Sequence, residues 1–367
     1  MPWYSVSNLH EIDTPALIVY PDRVRQNIRA AITMAGHPDR LRPHIKTCKS
    51  EGAIRMMLEE GITKFKCATI AEAELLAICG APDVLLAYQP QGPKIERLAS
   101  LAQHYPAVSF SCLVDNEAAA AAINQEFNKR NLRIRVFVDL NVGMNRTGIK
   151  PGDEVVALYR FIHAIPALIA GGLHAYDGHI REANPALLKK ICDDAFAHVD
   201  TLVEKLVGEG LPVPSIIAGG SVTFPVHASR PDVECSPGTF VYWDQNYSTL
   251  CASQPFQPAA LVITRVISRP ADGVATTDLG HKSIASENDL LHRVHFLNAP
   301  TVIPIGHSEE HLVLGDEANE LKTGDVLYGL PWHICPTVAL FDRAITVEIG
   351  NARGEWPAIA RDRKINY

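Results

Sequence analysis

Lys46 ends the run Arg42-Pro43-His44-Ile45-Lys46, where an apolar-framed strand would point one amine out of the end of a sheet. A lysine that is partly buried, or set beside other positive charge, gives up its proton more readily and can form a Schiff base with an aldehyde. Taken alone, a single lysine reads more readily as a solvated surface group. Two turns, Ala218-Gly219-Gly220-Ser221 and Ser236-Pro237-Gly238-Thr239, add to it, because glycine lets an anion come close to backbone N–H groups. Each turn by itself reads equally well as an ordinary connection. Together with the lysine they favour a phosphate-bearing aldehyde cofactor.

A second chemical constellation stands at Pro331-Trp332-His333-Ile334-Cys335-Pro336-Thr337. His333 and Cys335 are two apart and would face the same side of an extended segment. An imidazole and a thiolate suit a divalent ion, the thiolate favours zinc over magnesium or manganese, and only two close ligands leave positions open. The competing reading of the pair alone is a packed strand end.

These residues need elements to position them. Short β-like runs recur at LRPHIK, KFKCAT, DVLLAY, SFSCLV, IRVFVDL, IAGGLHAY, SIIAGG and ECSPGTF, and helical patterns separate most neighbours, the longest from Pro185 to Gly208. Eight such cycles predict an α/β fold, a (β/α)8 TIM-type barrel. A barrel of this kind places its chemistry at the C-terminal ends of its strands, which selects Lys46, Thr69, Asp139, Arg146, Tyr176 and the Gly219-Gly220-Ser221 turn. Beyond about Tyr247 the pattern changes to strands separated by turn residues, with no good helix between them. The expected division is a barrel over residues 22–248 and a mainly-β domain built from 1–21 and 249–367.

Composition narrows the class. The 367 residues are 47% hydrophobic and 20% charged, ordinary for a globular protein. A formal charge of -7 offers no basic stripe, so nucleic acid is not an expected partner. The N-terminus has no basic or apolar leader, and no apolar run reaches the roughly 18 residues that span a bilayer, which gives the expectation of a soluble, cytoplasmic protein without a membrane partner. The eight cysteines are scattered, and all but Cys335 read as buried, reduced thiols.

Asp13-Thr14-Pro15-Ala16-Leu17, Arg42-Pro43-His44-Ile45-Lys46-Thr47, Gly143-Met144-Asn145-Arg146-Thr147-Gly148 and Cys235-Ser236-Pro237-Gly238-Thr239, in this order, resemble the alanine-racemase-like, fold type III pyridoxal-5′-phosphate (PLP) enzymes. Within them the chain resembles the D-threonine aldolase and D-serine dehydratase branch, from about residue 12 to residue 350. The resemblance implies PLP on Lys46, its phosphate held by Gly219, Gly220, Ser221, Gly238 and Thr239, Arg146 near its phenolic oxygen and Tyr176 facing its ring. Thr69 joins these cofactor contacts by its place at a strand end. A homodimer sharing its active site is implied as well. The PWHICPT segment is similar to the metal-binding element of D-serine dehydratases, while some D-threonine aldolases have aspartate where Cys335 stands; zinc or manganese is expected on His333 and Cys335, with magnesium third. His179 is a candidate catalytic or substrate-contacting residue. Some relatives carry histidine in place of Asp177, so no catalytic role is carried over to it. The segments 278–283 and 308–311 resemble parts that approach the active-site mouth, without assigning roles to Asp278, Glu310 or His311.

The expected reaction starts when a small D-β-hydroxy-α-amino acid displaces Lys46 from the cofactor. Loss of the hydroxyl proton then breaks Cα–Cβ, giving an aldehyde and, once a proton returns to Cα, glycine; loss of the α-proton and of hydroxide instead gives an enamine that water hydrolyses to a 2-oxo acid and ammonia. The aldolase outcome is preferred and D-serine or D-threo-3-hydroxyaspartate dehydration is the alternative. A racemase has no evident use for a metal, and a non-catalytic PLP carrier normally lacks the β domain.

Overall fold

The computed structural model describes residues 2–367. The chain divides into two compact units: one holds Ala30–Lys46, Ile54–Gly238 and Asp362–Tyr367, the other the residues up to Arg29, Thr47–Ala53 and Thr239–Arg361.

After β1 (Ala16–Val19), which joins the second unit, come seven strands of the first: β2 (Lys64–Cys67), β3 (Asp83–Leu86), β4 (Ser109–Val114), β5 (Ile134–Leu140), β6 (Leu168–Ala175), β7 (Ile216–Ala218) and β8 (Val233–Cys235). They pair in parallel and in chain order. Parallel neighbours need crossovers, and helices such as Ile70–Ile78, Glu117–Lys129 and Pro185–Gly208 supply them. The longest helix starts at the expected place because Asn184 caps the amides of Ala186 and Leu187 and proline occupies the first turn. Leu85, Leu113, Phe137 and Ile217 meet in one buried cluster of this unit.

The expected first barrel strand, LRPHIK, is not a regular strand. Leu41 bridges Cys235, His44 bridges Lys66, and Pro43 has no N–H to donate between them. Arg42 N–H donates to Cys235 O at 2.8 Å, His44 N–H to Pro237 O at 2.9 Å, and Ile45 N–H to Lys66 O at 2.9 Å, so this irregular stave closes the ring between β8 and β2. The Arg42 side chain, 1% exposed, pairs with Asp83 at 2.6 Å and Glu234 at 2.7 Å.

The second unit is one nine-stranded sheet. β9 (Ala260–Ala271), β10 (Val274–Thr277), β11 (Val294–Phe296), β12 (Ile303–His307), β13 (Leu312–Gly315), β14 (Val326–Pro331), β15 (Arg343–Glu348) and β16 (Asn351–Pro357) join β1 in it. The path runs β12-β13-β10-β9-β1-β15-β16, with β14 on β9 and β11 on β14. Ile18, Leu261, Ile263, Leu330 and Val347 lie in its core. The expectation of no helix among these strands is corrected by the helix Ile334–Leu340. Among the described residues no helix is long and apolar enough to cross a membrane.

Candidate functional site

In the barrel unit Lys46 follows the closing stave and is half-buried. A second lysine that the sequence reading missed, Lys66 of β2, is buried, and its Nζ lies 2.9 Å from His174 Nε2. His174 in turn holds Asp139 through Nδ1 at 2.7 Å. Burial, with the neighbouring Lys46 charge adding to it, brings the Lys66 amine down to about 7. Burial and the charge of Lys66 likewise lower His174. Burial is the largest single influence on Asp139 and opposes its charge, but the hydrogen bond and charge of His174, a hydrogen bond from Thr147 and the charge of Lys66 together outweigh it and hold the carboxyl below its ordinary value. The imidazole therefore donates from Nδ1 to Asp139 and accepts from Lys66 at Nε2.

Tyr176 connects this row to the other expected contacts. Lys66 Nζ stands 5.4 Å and Arg146 Cζ 5.2 Å from its ring centroid. Arg146 reaches it from an exposed loop that Asn141 shapes, its Oδ1 accepting from Gly143 N–H at 3.1 Å and Asn145 N–H at 3.0 Å. His179 is exposed and packs on the same loop, where a Cβ at Gly143 would come within 2.6 Å of its Nε2.

The glycine turn fits its expected use. Gly219 has φ +79, and a Cβ there would meet His227 at 2.7 Å; at Gly220 it would meet the Tyr176 ring at 3.1 Å. Only glycine keeps this concave backbone open. Ser221 Oγ accepts the Gly238 N–H at 3.3 Å and so ties the two turns together. Glycine backbone, an aromatic ring, a half-buried amine and an excess of basic groups suit an anionic, aromatic aldehyde phosphate, so these residues fit PLP. Thr69 uses its hydroxyl to cap the helix Ile70–Ile78, accepting from Glu72 N–H at 3.1 Å.

His333 and Cys335 lie in the β unit, but not on an extended segment. His333 is the N-cap of the helix Ile334–Leu340 and Cys335 lies in its first turn. The two side chains nevertheless hydrogen-bond each other, and His333 Nδ1 is also bonded to Glu287, which the sequence reading did not single out. Burial works against charge on this imidazole, yet Cys335 and Glu287 together raise it to about 9. Asp244 anchors the helix start by accepting from Ile334 N–H at 3.1 Å. The Cys335 sulfur lies 3.0 Å from Thr47 Oγ1 and 3.7 Å from Thr239 Oγ1. Thr239, expected among the phosphate contacts, belongs to this unit. An imidazole held at one nitrogen by a carboxylate, next to a thiol, is a donor set that fits a divalent ion.

Another group has ligand atoms within 4.8 Å of one another: Asp177, Cys192 and His227, all buried in the barrel unit. In the β unit Asp278 is engaged by Thr14 at 2.5 Å, by Arg265 N–H at 3.0 Å and by Thr264. Glu310 pairs with Lys282 at 3.0 Å. All eight cysteines carry reduced thiols, seven of them buried and Cys335 partly exposed.

Residues 19–246 match the family described as "Alanine racemase, N-terminal domain", and 259–347 the "Putative serine dehydratase domain". The chain is 28% identical over 366 residues to a 3-hydroxy-D-aspartate aldolase of Paracoccus denitrificans (strain Pd 1222), covering 96% of this chain and 93% of that one. It is 27% identical over 360 residues to a D-threo-3-hydroxyaspartate dehydratase of Delftia sp. (strain HT23), covering 90% and 93%. The crystal structure of a D-threonine aldolase from Filomicrobium marinum superposes with TM-score 0.87 at 26% identity, covering 96% of each chain. The chain therefore belongs to the alanine-racemase-like family of PLP-dependent lyases, in the branch that includes D-threonine aldolases and serine dehydratase-type domains.

Proposed function

We propose that this protein is a PLP- and divalent-metal-dependent lyase that cleaves small D-β-hydroxy-α-amino acids to glycine and an aldehyde. The observation that carries the reading is the cluster in the barrel unit that brings Lys66 and Arg146 to the Tyr176 ring, Lys46 close enough to act on Lys66, and a glycine turn in which added side chains would strike Tyr176 and His227. PLP supplies an electron sink and a divalent ion a Lewis acid. The chain's own residues do the rest. Lys46 offers the amine for the aldehyde carbon. The Gly219 to Ser221 backbone and Gly238 would receive the phosphate, Tyr176 would pack on the ring, and Arg146 would bring positive charge to the phenolic oxygen. Lys66, His174 and Asp139 form a buried row that can hold and return a proton. His333 and Cys335 would hold the ion, with Glu287 fixing the imidazole.

Dehydration to a 2-oxo acid and ammonia is the second reading, favoured by the Cys335 thiol as a soft ligand and by the likeness to a dehydratase. D-Threonine, D-serine and D-threo-3-hydroxyaspartate, assayed separately for aldehyde and for oxo acid with ammonia, decide between them. Aldehyde and glycine are expected; oxo acid alone would replace the first reading with the second. Borohydride should trap the cofactor on Lys46, and trapping on another lysine would sink the assignment. The homodimer is part of the same proposal, checked by sedimentation.

A further inference from the structure

A buried cluster of side chains backs the glycine turn. Asp177 accepts from Thr223 Oγ1 at 2.7 Å and from His227 Nε2 at 2.7 Å. Thr223 Oγ1 also accepts the Gly220 N–H at 3.1 Å, and the His227 ring is the group that a Cβ at Gly219 would strike. Asp177, Thr223 and His227 are 3%, 1% and 2% exposed. One carboxylate thus governs two residues that touch the two consecutive glycines.

We propose that Asp177 is a positioning residue for the phosphate-binding turn: through Thr223 and His227 it fixes the Gly219–Gly220 backbone in the shape that receives a phosphate monoester. The inference rests on the PLP reading above and adds to it a residue that need not touch the cofactor. A turn ordered beforehand spares the ligand the entropy of ordering it. The same residues could instead hold an ion with Cys192, but the bonding argues otherwise. A tetrahedral zinc with bonds of about 2.0–2.1 Å separates neighbouring ligand atoms by about 3.3 Å, whereas the oxygen and nitrogen here are at hydrogen-bond distance. Burial, with Asp177 adding to it, also pushes the Cys192 thiol up to about 12, which disfavours the thiolate a metal needs.

The test compares PLP, inorganic phosphate and pyridoxal, which has the aldehyde but no phosphate, as ligands of the cofactor-stripped full-length chain. Thr223→Val removes the link to Gly220 while keeping its shape, and Asp177→Leu removes both acceptors. Both variants should weaken PLP and inorganic phosphate about tenfold and leave pyridoxal capture by Lys46 unchanged. Asp177→Asn should recover most of the loss, because its amide can accept from Thr223 and donate to the other tautomer of His227. If Asp177→Leu does not fold, Thr223→Val with Asp177→Asn still decides. Equal losses for PLP and pyridoxal would show a merely structural role and overturn the proposal, as would unchanged phosphate affinity in Thr223→Val. Stoichiometric zinc in the wild type that disappears in Asp177→Asn and Cys192→Ala would overturn it in favour of an ion site. A wild type that captures neither PLP nor phosphate would overturn the cofactor reading and this inference with it, whereas wild-type capture untouched by the variants overturns the inference alone.

Discussion

Lys66→Met should change the sign of its effect on stability between neutral and alkaline pH. Buried at 4% exposure, the Lys66 amine falls from an ordinary 10.5 to about 7, with burial the main cause and Lys46 the next. In the unfolded chain it keeps its proton up to the ordinary value, so between the two values the unfolded state binds more protons and stability rises with pH. The cost of the lysine is complete below about 7 and vanishes above 10.5. From these two values it amounts to about 4 kcal/mol at pH 7 and about 1 kcal/mol at pH 10. Methionine removes the cost at both pH values but strips His174 Nε2 of its 2.9 Å partner, a loss of about 2 kcal/mol for a buried acceptor. The variant should therefore be about 2 kcal/mol more stable than wild type at pH 7 and about 1 kcal/mol less stable at pH 10. Urea unfolding of both cofactor-stripped proteins at the two pH values measures this, and comparing variant with wild type cancels the other groups that titrate. A difference of one sign and one size at both values would refute the reasoning.

Other substitutions test other parts. Arg42→Met should destabilise the barrel unit by about 3 kcal/mol in urea unfolding, because Asp83 and Glu234 lose a buried cation and keep only Arg135 and Lys64; a loss below about 1 kcal/mol would show that those two suffice. Glu287→Gln should weaken zinc or manganese binding about tenfold or more in a competition titration with a chromogenic chelator, since the carboxylate that orients His333 is neutralised; equal affinity would remove Glu287 from the donor set's support. Glu74→Met should expose residues 362–367 of the barrel unit to protease, because the buried Glu74 carboxylate receives Asn366 Nδ2 at 2.7 Å and Asn366 N–H at 3.1 Å; an unchanged digestion rate would count against that anchoring.

Much of the fold could be read along the chain because its signals are periodic. Helix and strand patterns alternate from Lys64 to Cys235, and turns punctuate the sheet strands from Ala260 onwards. The departures have local causes. Pro43 cannot take part in a regular ladder, so the expected first strand survives as two bridges. Pro336 suggests an extended, proline-bounded segment, yet it stands in the first turn of the helix Ile334–Leu340, where a missing N–H costs no intrahelical bond. Cys335 therefore meets His333 through the start of a helix and not through strand alternation. Lys46 and the glycine turn were legible because strand ends and glycine runs mark themselves. Lys66 and His174 were not: an inward polar residue in a short strand looks the same in sequence as an outward one. Asp177, Thr223 and His227 are separated by up to 50 residues, and no local pattern joins them.

The irregular stave before Lys46 also sets an order of assembly. Arg42 and His44 take their partners from Cys235 and Pro237, more than 190 residues later in the chain. Local pairing cannot complete the ring, and loop closure over that length has to precede it. At roughly 5–20 residues per second of synthesis, Lys46 waits about ten to forty seconds for the carbonyls that finish its surroundings. A growing chain thus acquires its cofactor amine well before the carbonyls that complete the ring, so the native surroundings of Lys46 cannot form until Pro237 has been made.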